Sequence, residues 1–109
     1  MFKSYEKDSD TDDWYRIIDD DFVVKVDYYD CEIKAGHARL LSFCVIKEYE
    51  KRGLNVAGNL ALAFKKYVAQ NIKGGYEKVS VQKIIEANKT GNPYYAKYAD
   101  EVEKYLLLI

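Results

Sequence analysis

Val56, Leu60, Phe64 and Val68 recur at every fourth position, with Ala57, Ala61 and Tyr67 beside them and Asn59, Lys65, Lys66 and Gln70 opposite. This is the pattern of an amphipathic helix with one apolar stripe, and such a stripe requires another layer of structure to cover it. Gly74-Gly75 supplies its stop. Upstream, residues 38–46 are nearly continuous in apolar side chains, as expected of a central strand covered on both faces. Downstream, residues 77–85 read as a further strand. A strand, a helix and a strand in this order predict a right-handed β-α-β crossover, with 38–46 and 78–85 as parallel neighbours.

The front of the chain predicts an antiparallel meander. Residues 14–18 form a short strand and Asp19-Asp20-Asp21 a turn. Residues 22–28 alternate, with Val24, Val26 and Tyr28 on one face and Lys25 and Asp27 on the other. Residues 29–31 connect to a second strand from Glu32, which Gly36 interrupts. At the other end, 86–91 is an exit loop. Asn92 caps a second helix, with Pro93 in its first turn and Tyr95, Tyr98, Ala99 and Val102 on its apolar face. Residues 103–109 read as a last buried strand or an extension of that helix, and the short, wholly apolar run favours the strand. The fold class expected is therefore α/β, an α+β arrangement with a mixed sheet.

With 109 residues and 49% hydrophobic content, the chain suits a single compact domain. Residues 14–109 would form it, and residues 1–13 an acidic, loosely held terminus. Cys31 and Cys44 lie thirteen positions apart without a CxxC or Cys/His spacing, so neither a disulfide framework nor a metal site is indicated. No stretch approaches the roughly 20 residues of a membrane helix, and a cytoplasmic location is expected. Residues 1–21 carry eight acids against three bases, while the rest has fourteen bases against ten acids. That asymmetry suits a cationic partner or an anionic cofactor held elsewhere, and argues against general nucleic-acid binding, which needs a continuous basic face. A solvated terminus is the simpler explanation of the acids. A domain of this size often completes a site or buries an edge strand by forming a homodimer.

Residues 48–60 carry the chain from the expected central strand into the helix. A turn at a helix start offers unpaired N–H groups backed by the helix dipole, which together cradle phosphate. Arg52-Gly53-Leu54-Asn55-Val56-Ala57 resembles the R/Q-x-x-G-x-G/A pyrophosphate loop of the GNAT superfamily of acyl-CoA N-acyltransferases, with Asn55 in place of the central glycine. Asn tolerates a left-handed backbone better than most residues. A second stretch, from Asn88 to Ala99, is similar to the family's N-x-x-A-x-x-F-Y-x-K-x-G signature. There Gly91 stands for the small residue, Tyr94 for the aromatic and Ala99 for the final glycine. The family usually has a strand and one or two helices ahead of the meander, and this chain is shorter there.

The resemblance implies an N-acetyltransferase that moves an acetyl group from acetyl-CoA to an amine, such as a protein lysine or amino terminus. It further implies that acetyl-CoA lies between the parallel strands. Backbone groups at Val45 and Ile46 would meet its pantetheine arm, N–H groups of Arg52, Gly53, Leu54, Asn55, Val56 and Ala57 its pyrophosphate, and Asn88 another part of the cofactor. Tyr95 would be the general acid for the leaving thiolate. Direct attack by an amine on a thioester needs positioning, a proton acceptor and a proton donor, with no covalent nucleophile. Each residue also has a structural explanation. Tyr95 would pack in the core with its hydroxyl on a carbonyl, Gly53 would serve the turn and Gly58 a close packing contact. Arg52, Glu48 and Glu50 would be surface charges, Asn88 a loop residue and His37 a surface or edge histidine. No general base is assigned. The alternative function is a non-catalytic GNAT-like binding or inhibitor module acting by protein–protein interaction.

Overall fold

The computed structural model describes residues 1–7, 14–27, 37–72 and 80–108. Three strands come first: β1 (Phe2–Lys7), β2 (Trp14–Asp19) and β3 (Val23–Asp27). They pair antiparallel in the order β1-β2-β3, with Glu6 and Lys25 both opposite Arg16 on the central strand. Along β2 the side chains alternate: Tyr15, Ile17 and Asp19 are buried, whereas Trp14, Arg16 and Ile18 are half-buried. This period of two gives the sheet one covered face and one that meets solvent. The Asp19-Asp20-Asp21 turn forms as expected, closed by Asp19 N–H donating to the Phe22 carbonyl at 2.8 Å. Residues 2–7, expected within a loose terminus, are an edge strand instead, because Phe2 and Tyr5 both find places in the core.

Four helices follow: α1 (His37–Lys51), α2 (Val56–Ile72), α3 (Val81–Gly91) and α4 (Ala99–Leu108). α2 packs against β1 and α1 against β2, while α3 lies on α1 and α4 on α2. The core between sheet and helices holds Tyr15, Ile17, Leu40, Tyr49, Leu60 and Phe64, each 1% exposed or less. The α+β class is as expected, and α2 matches the periodic stripe that predicted it.

The β-α-β crossover does not form. Residues 38–46 belong to the fifteen-residue helix α1, not to a strand. Leu40 through Ile46 are buried without a break, because the sheet, α2 and α3 surround this part of the helix. A helix covered all round loses its polar stripe and takes on the composition of a central strand. Residues 81–85, expected to end the second parallel strand, open α3, where the Ser80 hydroxyl accepts from Lys83 N–H at 3.2 Å. The rest of that expected strand, the stop at Gly74-Gly75 and the strand from Glu32 fall outside the described residues. Asn92 ends a helix instead of starting one: its N–H donates to the Asn88 carbonyl at 2.9 Å, and Pro93 follows as it often does after a helix end. Residues 99–108 are helical, not a final strand, and Leu107 and Leu108 project into solvent at 88% and 80% exposure.

Candidate functional site

The corner between α1 and α2 contains six of the expected cofactor-binding residues. Gly53 has φ of +69°, the left-handed value that favours glycine. Leu54 N–H donates to the Tyr49 carbonyl at 2.9 Å and Gly53 N–H to the Glu50 carbonyl at 3.1 Å. These are the paired bonds of a Schellman helix end. One residue later Asn55 caps α2, its Oδ1 accepting from Gly58 N–H at 3.1 Å. Its Nδ2 donates to the Tyr105 hydroxyl at 2.8 Å, and its carbonyl accepts from Asn59 Nδ2 at 2.6 Å. Asn59 in turn accepts from Phe2 N–H at 2.6 Å, tying β1 to the corner. A Cβ on Gly58 would stand 2.9 Å from Asn55 Nδ2, so the close cap requires glycine there.

This hydrogen bonding fixes what the corner can do. The third N–H of α2, which a phosphate cradle would offer, is taken by the cap. The Arg52 guanidinium lies 3.7 Å from the Phe22 ring centre, with Nε 3.4 Å from Glu48 Oε2. Val56 and Ala57 are buried in the first turn of α2, and Leu54 is 45% exposed. Leu54 and Asn55 border a cavity of about 460 Å³ together with Met1, Leu62 and Tyr105.

The other expected site residues lie apart from the corner. Val45 and Ile46 are buried within α1, so their peptide groups serve the helix and present no strand edge to a pantetheine arm. Asn88 is fully buried in α3, donating to the Ile84 carbonyl at 2.9 Å and accepting from Asn92 Nδ2 at 3.2 Å. Tyr95 has no exposure and its ring lies 5.9 Å from that of Phe64. Its hydroxyl is buried without a hydrogen-bond partner, and burial, with Glu103 nearby, pushes its pKa up to about 12. A neutral hydroxyl enclosed in this way has no path to a bound thioester without a rearrangement of the core.

Two features were not singled out in the sequence. The first is Asp19, whose side chain is 1% exposed. It accepts from the Tyr49 hydroxyl at 2.5 Å and from Asp21 N–H at 3.0 Å, and it pairs with the Met1 amino group at 2.9 Å. Burial opposes its charge, but these bonds together hold the carboxyl below its ordinary range. The second is the outer side of α1. There Phe43 meets Tyr94 edge-on at 5.2 Å and Lys47 lies 5.8 Å from the Phe43 ring centre. Both border a groove of about 310 Å³ with Ile46, Glu50 and Lys51. Glu50 accepts from the Tyr98 hydroxyl and lies 3.7 Å from Lys97 Nζ. The four-residue spacing of Phe43, Lys47 and Lys51 is in the sequence, but it marks a face only once the segment is read as helix.

The fold and surface thus define an α+β domain with a three-stranded antiparallel sheet and an aromatic and cationic groove along one helix. Searches of protein-family models, curated proteins and solved structures each return no match. Among the described residues, no helix is long and apolar enough to cross a membrane.

Proposed function

We propose that the chain is a non-catalytic binding module acting by protein–protein contact. The observation that carries this reading is where the expected chemical groups go. Asn55 is consumed by capping, Arg52 by Phe22 and Glu48, and Tyr95 by the core, while the outer side of α1 exposes Lys47, Glu50 and Lys51 beside Tyr94, which is 38% exposed. Tyrosine is among the usual anchors of protein interfaces.

Acetyl transfer from acetyl-CoA to an amine, which the resemblance implies, is the competing reading. In its favour, residues 52–57 do form a turn with a left-handed glycine that leads directly into a helix. Isothermal titration with acetyl-CoA and CoA separates the two. A binding module gives no heat beyond dilution, and mixing with acetyl-CoA and candidate amines releases no thiol. Saturable acetyl-CoA binding with amine-dependent thiol release would establish the transferase instead.

A further inference from the structure

The cavity of about 460 Å³ at the α1–α2 corner is walled by four parts of the fold: Met1 ahead of β1, Asp21 in the β2–β3 turn, Leu54 and Leu62 flanking the start of α2, and Tyr105 of α4. Its volume falls within the roughly 300–1,000 Å³ of small-molecule sites. The walls are tied to one another before any ligand arrives. Asn55 bonds the Tyr105 hydroxyl and the Gly58 N–H, and Asn59 bonds the Asn55 carbonyl and the Phe2 N–H. These two amides join β1, α2 and α4, so little order remains to be imposed on binding.

Two polar groups on the walls are not used up by the fold. Among the described residues the Asp21 carboxylate accepts no hydrogen bond and joins no ion pair, its N–H alone being engaged, by Asp19. The Tyr105 hydroxyl accepts from Asn55 and retains a proton and a second lone pair. Met1, Leu54 and Leu62 supply apolar surface. Among the described residues no lysine or arginine lines the cavity, and the Met1 amino group is already paired with Asp19 at 2.9 Å. Asp20 and Asp21 act on that same amino group through space, so one cation stands among three carboxylates. Such surroundings favour a positive ligand over a negative one. We propose that this cavity binds a small apolar cation, an ammonium group on a hydrocarbon body, with the charge beside the Asp21 carboxylate and Tyr105 hydroxyl and the body against Leu54 and Leu62. A lysine stem from a partner protein carries the same charge but is too slender to fill such a volume, which leaves a free molecule as the occupant. The cavity shares no lining residue with the α1 groove at Phe43 and Tyr94, so the site goes beyond the binding-module reading and stands or falls separately. It also reverses the charge preference that a pyrophosphate loop at residues 52–57 would have.

The test titrates the full chain with phenethylammonium, phenethyl alcohol and phenylacetate, which share a ring and differ in charge. The amide resonances of Gly58 and Leu62 are followed by nuclear magnetic resonance. Phenethylammonium is expected to shift both and to bind about three- to fivefold more tightly than the alcohol, the upper range of an exposed charge pair, with phenylacetate weakest. Asp21→Asn, at an exposed position, should bring the ammonium to the level of the alcohol. Raising the salt concentration should erode the same preference in the unsubstituted chain. Leu54→Ser should weaken all three probes about threefold. No binding of any probe, equal affinity for the three, tightest binding of phenylacetate, shifts confined to other regions, or an Asp21→Asn variant that keeps the preference would overturn the proposal. So would displacement of phenethylammonium by CoA, or equal affinity for a lysine capped at both ends, which would make a partner's side chain the occupant. None of these results bears on the α1 groove, so the binding-module reading is tested apart from this one.

Discussion

Tyr95 is a buried hydroxyl that gives up hydration without gaining a partner. Such a group costs stability, whereas its ring, against Phe64, contributes it. Tyr95→Phe is therefore expected to leave stability unchanged or raise it by up to about 1 kcal/mol in denaturant unfolding. A loss of more than that would mean the hydroxyl has a partner in solution. The sequence places this residue on the apolar face of a helix opened by Asn92; it lies instead in the turn between α3 and α4, and its burial agrees with packing, one of its two readings. The environment that decides between them is made by residues from α2 and α4, which no local pattern around position 95 reveals. Arg52 is similar: a charge next to a glycine turn is visible, but its stacking on Phe22, thirty positions away, depends on how the hairpin meets α1.

At the level of elements, the α1–α2 corner is held by a helix end and a helix start in immediate succession. Gly53→Ala meets no atoms within 4 Å, so its cost is the left-handed backbone alone, about 1–2 kcal/mol. Asn55→Ala removes the cap and the bond to Tyr105, for about 1 kcal/mol or somewhat more. The two residues share one turn, so a double-variant cycle by chemical denaturation should depart from additivity. The elements legible in the sequence are those exposed on one side: α2 with its single stripe, and the β2–β3 hairpin with its alternation and its run of aspartates. α1 is covered on several sides and lacks that contrast. Its fifteen residues, longer than a usual strand, and its Leu, Glu, Lys and Arg content were the signals for a helix. α3 was misread because Val81, Ile84 and Ile85 look like a short apolar run, although Ser80 is a good helix cap. The leucines closing α4 looked buried by composition, yet two of them face solvent.

Across the whole molecule, Asp19 joins parts distant in sequence: the start of β1, the hairpin turn and α1 through Tyr49. Its carboxyl is held below the ordinary value of 3.8, so its contribution is present above that pH and lost as pH falls towards the lower folded value. Tyr49 is shifted upward, by burial and then by its bond to Asp19, from an ordinary value of 10.0. Its contribution is complete below that value and declines as pH rises beyond it. Unfolding midpoints should thus fall at both extremes around a broad plateau. Asp19→Asn should lower the plateau by about 1–3 kcal/mol and flatten the acid limb. An acid limb of unchanged slope in the variant would show that other carboxylates govern it.

Trp14, the chain's single tryptophan, lies half-buried on the solvent side of the sheet, with Arg16 and Lys25 at 5.2 Å and 5.4 Å from its ring. All indole emission from this protein therefore comes from one place, beside two cations that are themselves paired with Glu6 and Asp27. Lys25 belongs to the outer strand and also lines a groove beside α1. The molecule thus carries an optical reporter directly opposite the outer strand, since Trp14 pairs with Asp27, and no label need be introduced to watch that side of the sheet.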